Sequence, residues 1–343
     1  MPKELFIGDL KVSEKSKPLI IAEGCDNHLG DIKRAFEMVD LAKEAGADII
    51  KFQHHLPDEE MLPNVPMSDN FKEPLYEFLK KYSLRISDHQ KIMERCKKIG
   101  IQYLCTPFSY KAAVELKKIK VDGYKIGSGE MTDIPTIEKI AKFNKPILIS
   151  TGMSNLKEIY ETYKAVTKIN KKLILMNCTS EYPPEYMDIN LNVIPVMKKK
   201  FPKALIGHSD HTNDLVTSFG AVALGAVIIE KHFTIDKKNE GPDRDVSIDF
   251  SELKLLVKEV KKLYLSLGNK KIVNKREKPI RKWAFRSIVS LKNIKKNQII
   301  KASMVWSKRP GTGIPAKLMK KVIGKKAKKN IKENQLLKWS DLA

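Results

Sequence analysis

Two histidines end apolar runs in this chain: Ala204-Leu205-Ile206-Gly207-His208-Ser209-Asp210-His211 and Val227-Ile228-Ile229-Glu230-Lys231-His232. Each run is short and rich in branched residues, as a buried parallel strand would be. Two imidazoles at the carboxyl ends of consecutive strands can converge on one metal ion. Glu23, ending an earlier run, could add a carboxylate directly or through water. Such a nitrogen and oxygen set with open positions suits Mn, Fe, Co or Zn better than Ca. One rim histidine alone would read as a hydrogen-bonded structural group; the pair reads as a metal site. His28, His54 and His55 read as loop residues, and His208 points away from its neighbour's side by alternation.

Lys51 and Lys125 end two further runs, and a buried lysine needs an anionic partner. With Thr106, Ser128, Ser150 and Ser209 they could hold a phosphate and a carboxylate through charge-assisted hydrogen bonds. An ion network with Glu23 or Glu130 is the alternative. Glu23 and Glu130 are the carboxylates best placed for proton transfer, and Asp210 could orient a histidine. Glu230 reads as facing a helix or the barrel wall. Lys125-Ile126-Gly127-Ser128-Gly129-Glu130 is no phosphate-binding P-loop, and no G-x-S-x-G elbow is present.

The elements that must position these groups are eight strand-like runs, at 18–23, 48–53, 102–106, 123–127, 146–151, 173–179, 204–208 and 227–232. Helical patterns alternate with them, for example at 31–45, 87–98, 134–143, 156–169, 191–199, 213–225 and 251–267. Eight β/α units in about 250 residues predict a (β/α)8 TIM barrel, whose active site lies at the carboxyl ends of its strands. Polar residues end every run, Asn27, Gln53, Thr151, Asn177, Thr179, Ser180 and Lys231 among them. A doubly wound open sheet would want a glycine-rich phosphate turn after the first strand, and Glu23-Gly24-Cys25-Asp26-Asn27-His28 is not one. Residues 3–12 read as a hairpin closing the barrel's bottom. The expected domains are a barrel over 1–268, a polar linker over 269–282 and a small β-rich segment over 283–343.

Of 343 residues, 42% are apolar, enough for a sizeable core. The start reads as lacking a signal peptide, and no run reaches the roughly 18 apolar residues of a membrane span. The four cysteines lie far apart, without a C-x-x-C pair, and read as free thiols of a reducing cytoplasm. Residues 270–343 hold 23 Lys and Arg against three acids, so they carry +20 of the total +23. The lysines alternate with single apolar residues and few aromatics are interleaved. The tail therefore reads as a solvated surface rather than a nucleic-acid-binding one.

Taken together, the strand-end residues resemble the sialic acid synthase family, which includes the legionaminic and pseudaminic acid synthases. The likeness runs in order through Glu23…Asn27-His28-x-Gly30, Lys51-x-Gln53, Thr106-Pro107-Phe108 and Tyr124-Lys125-Ile126-Gly127-Ser128-Gly129-Glu130. It continues through Ser150-Thr151-Gly152-Met153, Cys178-Thr179-x-x-Tyr182-Pro183, Gly207-x-Ser209-Asp210-His211-Thr212, Glu230-Lys231-His232-Phe233-Thr234, Gly241-Pro242-Asp243 and Lys308-Arg309-Pro310-Gly311. The tail resembles the family's antifreeze-like (SAF) domain.

The resemblance implies a transferase that condenses phosphoenolpyruvate with an N-acetylated mannosamine-type sugar, giving a nine-carbon acid and phosphate. It implies Mn2+ on His211 and His232, with Glu23 and Glu130 moving protons or positioning water. Lys51, Thr106, Lys125, Ser128, Ser150 and Ser209 would bind phosphoenolpyruvate, and Gln53, Asn70, Tyr182 and Asp243 the sugar. Asn177 and Ser180 are further substrate-contact candidates. Arg309 would reach the barrel of a partner subunit in a domain-swapped homodimer. Four positions depart from the neuraminate pattern: Ser180 replaces an Asn, Phe52 a His, and Cys25-Asp26 an apolar pairing. Cys178-Thr179-Ser180-x-Tyr182-Pro183 looks more like the legionaminic or pseudaminic branches, which use diacetamido sugars. Other phosphoenolpyruvate-dependent synthases of shorter ulosonic acids are the nearest rival; they generally lack the tail and Arg309-Pro310-Gly311.

Overall fold

The eight apolar runs form eight consecutive parallel strands in a computed structural model that describes residues 4–66, 73–238, 241 and 243–343. A hairpin comes first, β1 (Glu4–Ile7) and β2 (Leu10–Ser13). The barrel follows: β3 (Leu19–Cys25), β4 (Ile49–His54), β5 (Gln102–Pro107), β6 (Tyr124–Ile126), β7 (Ile147–Ser150), β8 (Leu173–Cys178), β9 (Leu205–Asp210) and β10 (Ile228–His232). Each strand pairs with the next, and β10 pairs with β3, so the sheet closes and has no edge.

Side chains alternate in and out along each strand, and this sorts the core into two parts. Leu19, Ile21, Ile49, Leu104, Leu148, Ile174, Met176, Leu205 and Ile228 fill the inside, against Leu5, Ile7 and Val12 of the hairpin. The hairpin thus plugs the lower end, as its apolar alternation predicts. Ile20, Ala22, Ile50, Phe52, Tyr103, Ile149, Leu175, Ile206 and Ile229 point outward to the helices. Those helices carry the expected stop and start signals. Asp31 caps the helix Ile32–Ala45, which ends at left-handed Gly46, and Asn155–Glu158 and Asp249–Glu252 form capping boxes.

The chain divides into two compact units, Met1–Leu267 and Gly268–Ala343. In the second, a helix spans Glu277–Ala284, and β11 (Ser287–Ser290) pairs antiparallel with β12 (Val305–Lys308). Its own small core holds Ile288, Ile294, Ile300, Val305, Ile314, Ile331 and Leu337. Among the described residues, no helix is long and apolar enough to cross a membrane.

Candidate active site

The inside of the barrel changes character towards the carboxyl ends of its strands. Above the apolar layers, the inward positions are Glu23, Lys51, Gln53, Thr106, Lys125, Ser150, Cys178, Ser209, His211, Glu230 and His232, and all line one cavity of about 420 Å3. Ser128, Glu130, Ser180, Tyr182 and Asp243 line it from the loops. Most of the sequence-predicted site is therefore brought together.

The floor is an ion network. Lys51 Nζ lies 2.6 Å from Glu23 and 3.7 Å from Glu230, and it donates to Thr106 Oγ1 at 3.1 Å. Lys125 Nζ donates to Glu230 at 2.6 Å, and Ser209 Oγ donates to the same oxygen at 3.0 Å. The reading of Glu230 as facing a helix or the wall is overturned. Ile228, Glu230 and His232 alternate on one face of β10, so Glu230 must share the inward side with His232. Burial alone would raise both carboxyls, but Lys125 and Lys51 hold Glu230 ionised, well below its usual range. For Glu23, burial and the Glu230 charge outweigh Lys51, and its carboxyl moves up. Two cations and one settled anion leave this floor short of negative charge, as a site for an anionic substrate requires.

Above it sit the histidines, with ring centres 5.2 Å apart and rings nearly perpendicular. His211 Nδ1 donates to the Thr179 carbonyl at 2.8 Å, which turns Nε2 towards the cavity, where the Tyr182 hydroxyl lies 3.4 Å from it. His232 is held neutral by burial, by His211 and by Lys51. Among the described residues its buried Nδ1 has no hydrogen-bond partner; the Asp243 carboxylate lies 3.7 Å away. An orphaned imidazole nitrogen beside a second tautomer-locked imidazole fits a divalent metal. Cys25, His232 and Asp243 bring one ligand atom each within 4.8 Å of one another. Glu23 is committed elsewhere, to Lys51 and to Gln53 Nε2 at 3.1 Å, so Asp243 is the carboxylate beside the histidines.

Besides Glu23, two groups suit proton transfer near neutrality. Burial pushes Glu130 up to about 7, and its Oε2 has no partner among the described residues. A Cβ on Gly127 would lie 2.5 Å from that oxygen, so a larger residue there would displace the Glu130 carboxylate. Cys178, next to His211 and Ser128, is also near 7: burial raises the thiol, but His211 and Lys125 more than offset it. His55, read from sequence as a loop residue, is a buried member of the wall. It stacks on Phe108 at 4.2 Å and pairs with Glu60 at 2.9 Å and Asp26 at 3.5 Å. Burial opposes its charge, but these acids push it up to about 10, so it is an imidazolium. Nothing in a lone His55 announced this; Glu60 comes from the short helix five residues on, and Asp26 from the turn after β3.

Three further expectations are corrected by the same alternation. Asn177 faces out between Met176 and Cys178 and contacts the Ile189 carbonyl and His208, lining a separate cavity. Lys231 also faces out and pairs with Asp210 at 3.2 Å. Asp210 makes no hydrogen bond to His211 or His232. It accepts hydrogen bonds from Thr212, Thr217 and Ser218, and so anchors the loop carrying His211 to the helix Val216–Ala223. Asn70 lies outside the described residues. Arg309 lies in the second unit, where its Nε donates to the Ala284 carbonyl and its guanidinium covers Trp283.

The sequence profile of the NeuB family matches residues 38–272. The chain belongs to the NeuB family. A SAF domain matches residues 285–343, so the small β-rich unit of this NeuB-family chain is identified as well. An N,N'-diacetyllegionaminic acid synthase of Campylobacter jejuni is 36% identical over 94% of this chain and 99% of its own. A pseudaminic acid synthase of Campylobacter jejuni is 36% identical over 95% and 96%. The crystal structure of the sialic acid synthetase from Leptospira borgpetersenii, in complex with citrate, is 32% identical. It superposes with a TM-score of 0.75 over 82% of this chain and 95% of that one.

Proposed function

We propose that this NeuB-family protein is a nonulosonic acid synthase: a transferase that joins phosphoenolpyruvate to an N-acetylated mannosamine-type sugar. The observation that carries the reading is the cation-rich floor, Lys51 and Lys125 with Thr106 and Ser209, directly beneath the two histidines. Phosphoenolpyruvate carries a carboxylate and a phosphate, the two anions such a floor can hold. C3 of the enol attacks the open-chain aldehyde carbon, whose oxygen gains a proton. Water adds at C2, and the C2–O bond to phosphate breaks. A divalent metal on His211 and His232, Mn2+ by family resemblance, supplies Lewis-acid polarisation of the aldehyde when bound. Glu130 and Glu23, buried and shifted towards neutrality, deliver and collect the protons. Ser128 and Ser150 complete the anion subsite. Gln53, Ser180, Tyr182 and Asp243 border the acceptor.

The diacetamido hexoses are the favoured acceptors. The relatives' names support this, as does Ser180 in the motif Cys178-Thr179-Ser180-x-Tyr182-Pro183, which resembles those branches. Arg309 belongs, in this reading, to a domain-swapped homodimer and touches the acceptor of the partner subunit's barrel. The four buried free thiols suit the cytoplasm. The test is phosphate release from phosphoenolpyruvate with N-acetylmannosamine and with diacetamido hexoses, before and after chelation. No release with any acceptor, or release untouched by chelation, refutes the proposal.

A further inference from the structure

Cys25, one of the positions that depart from the neuraminate pattern, lies beside His232 and Asp243. It is wholly buried at the end of β3, in left-handed backbone at φ 36°. The pairing of β3 with β4 slips there: Glu23 stands opposite Lys51, but Cys25 stands opposite Phe52. The slipped residue, Gly24, faces Phe52, and a Cβ there would come within 2.7 Å of that ring. A bulge with a left-handed non-glycine residue is strained and is retained where it re-aims a side chain. Here it brings the Cys25 sulfur beside the Asp243 carboxylate. Sulfur, the Asp243 oxygen and a His232 nitrogen lie within 4.8 Å of one another. The unpartnered Nδ1 of His232, with the residue 5% exposed, is the independent sign that this cluster awaits a ligand.

We propose that Cys25 and Asp243 join His232 and His211 as ligands of the metal, making a thiolate site. The inference rests on the metal reading of the proposed function and extends it. On binding, the Cys25 S–H bond breaks, sulfur keeps the electron pair for the metal, and the proton goes to solvent. One Asp243 oxygen suffices for the metal and leaves the second for an acceptor hydroxyl. A thiolate added to imidazole and carboxylate shifts preference from Mn2+ towards Fe2+, Co2+ or Zn2+.

The test is cobalt titration of the metal-stripped full-length protein, followed by absorption. Wild type and Cys178→Ser should show a near-ultraviolet sulfur-to-cobalt charge-transfer band. Cys25→Ser should lack it and bind Co2+ at least about ten-fold more weakly, the low end of what losing even an outer partner of a metal ligand costs. A band that survives in Cys25→Ser, or unchanged Co2+ affinity there, overturns the inference. Should Cys25→Ser fail to fold, X-ray absorption of zinc-loaded Cys178→Ser decides. A sulfur neighbour at about 2.3 Å supports the site, and nitrogen and oxygen alone overturn it. His232→Ala separates the two readings. If it keeps cobalt unchanged, the metal site itself fails; if it loses cobalt while Cys25→Ser keeps it, only the thiolate fails.

Discussion

Glu230→Gln is the sharpest test of the anion floor. The carboxylate lies 2.6 Å from Lys125 and 3.7 Å from Lys51, and all three side chains are almost fully buried. At an effective dielectric of about 20 these contacts correspond to gross attractions of roughly 6 and 4 kcal/mol. Desolvation already suffered by the ions offsets part of this, and removing one partner of a buried pair costs about 3–5 kcal/mol net. In a unit of this size that lowers the melting temperature by roughly 10 °C. The variant also leaves two lysines with only Glu23 between them, so an added anion has more to gain. Phosphate should raise the melting temperature of Glu230→Gln more than that of wild type, by mass action on the folded state. The assay is thermal unfolding by circular dichroism with and without phosphate. The reasoning fails if the variant melts within about 2 °C of wild type, or if phosphate stabilises both equally. Replacing the pair together, Lys125→Met with Glu230→Leu, should destabilise less than either change alone.

Glu130→Gln should lower kcat by about 10²–10⁴-fold and remove an ionisation near pH 7 from the kcat/KM profile; an unchanged profile would show that another group titrates there. His211→Ala and His232→Ala should each abolish chelator-sensitive phosphate release, whereas activity in either variant would dismiss the metal pair. His28, whose Nδ1 accepts from the Gly30 amide, is held neutral by burial against the pull of Asp26, its pKa lowered to about 4. The unfolded chain therefore takes up a proton below about pH 6.5 that the folded chain refuses, so stability present above 6.5 declines towards pH 4, by about 3 kcal/mol. Urea unfolding of His28→Asn should show a correspondingly shallower decline, and an identical pH slope would remove His28 from the account.

Much of this site was legible in the chain because a parallel barrel repeats one rule. A polar residue at the end of an apolar run, an even number of positions beyond an inward-facing one, faces the mouth. Lys51, Lys125, Ser209, His211 and His232 follow that rule. Applied strictly, it also moves Glu230 in and Asn177 and Lys231 out, since each differs from a correctly placed neighbour by an odd or even step along its strand. The charge of the floor was likewise implicit: buried lysines require partners, whichever carboxylates those prove to be.

What the residues alone determined, then, is the barrel, the plug and the facing of each strand, because periodicity and burial are local properties. What only the tertiary structure decided is which groups from distant segments meet. Asp26 arrives beside His55 and helps hold it charged, the Thr179 carbonyl sets the His211 tautomer, and a slipped register turns Cys25 towards Asp243 and His232. Each depends on loop paths or a one-residue bulge, and no spacing along a single segment encodes a distance between two others.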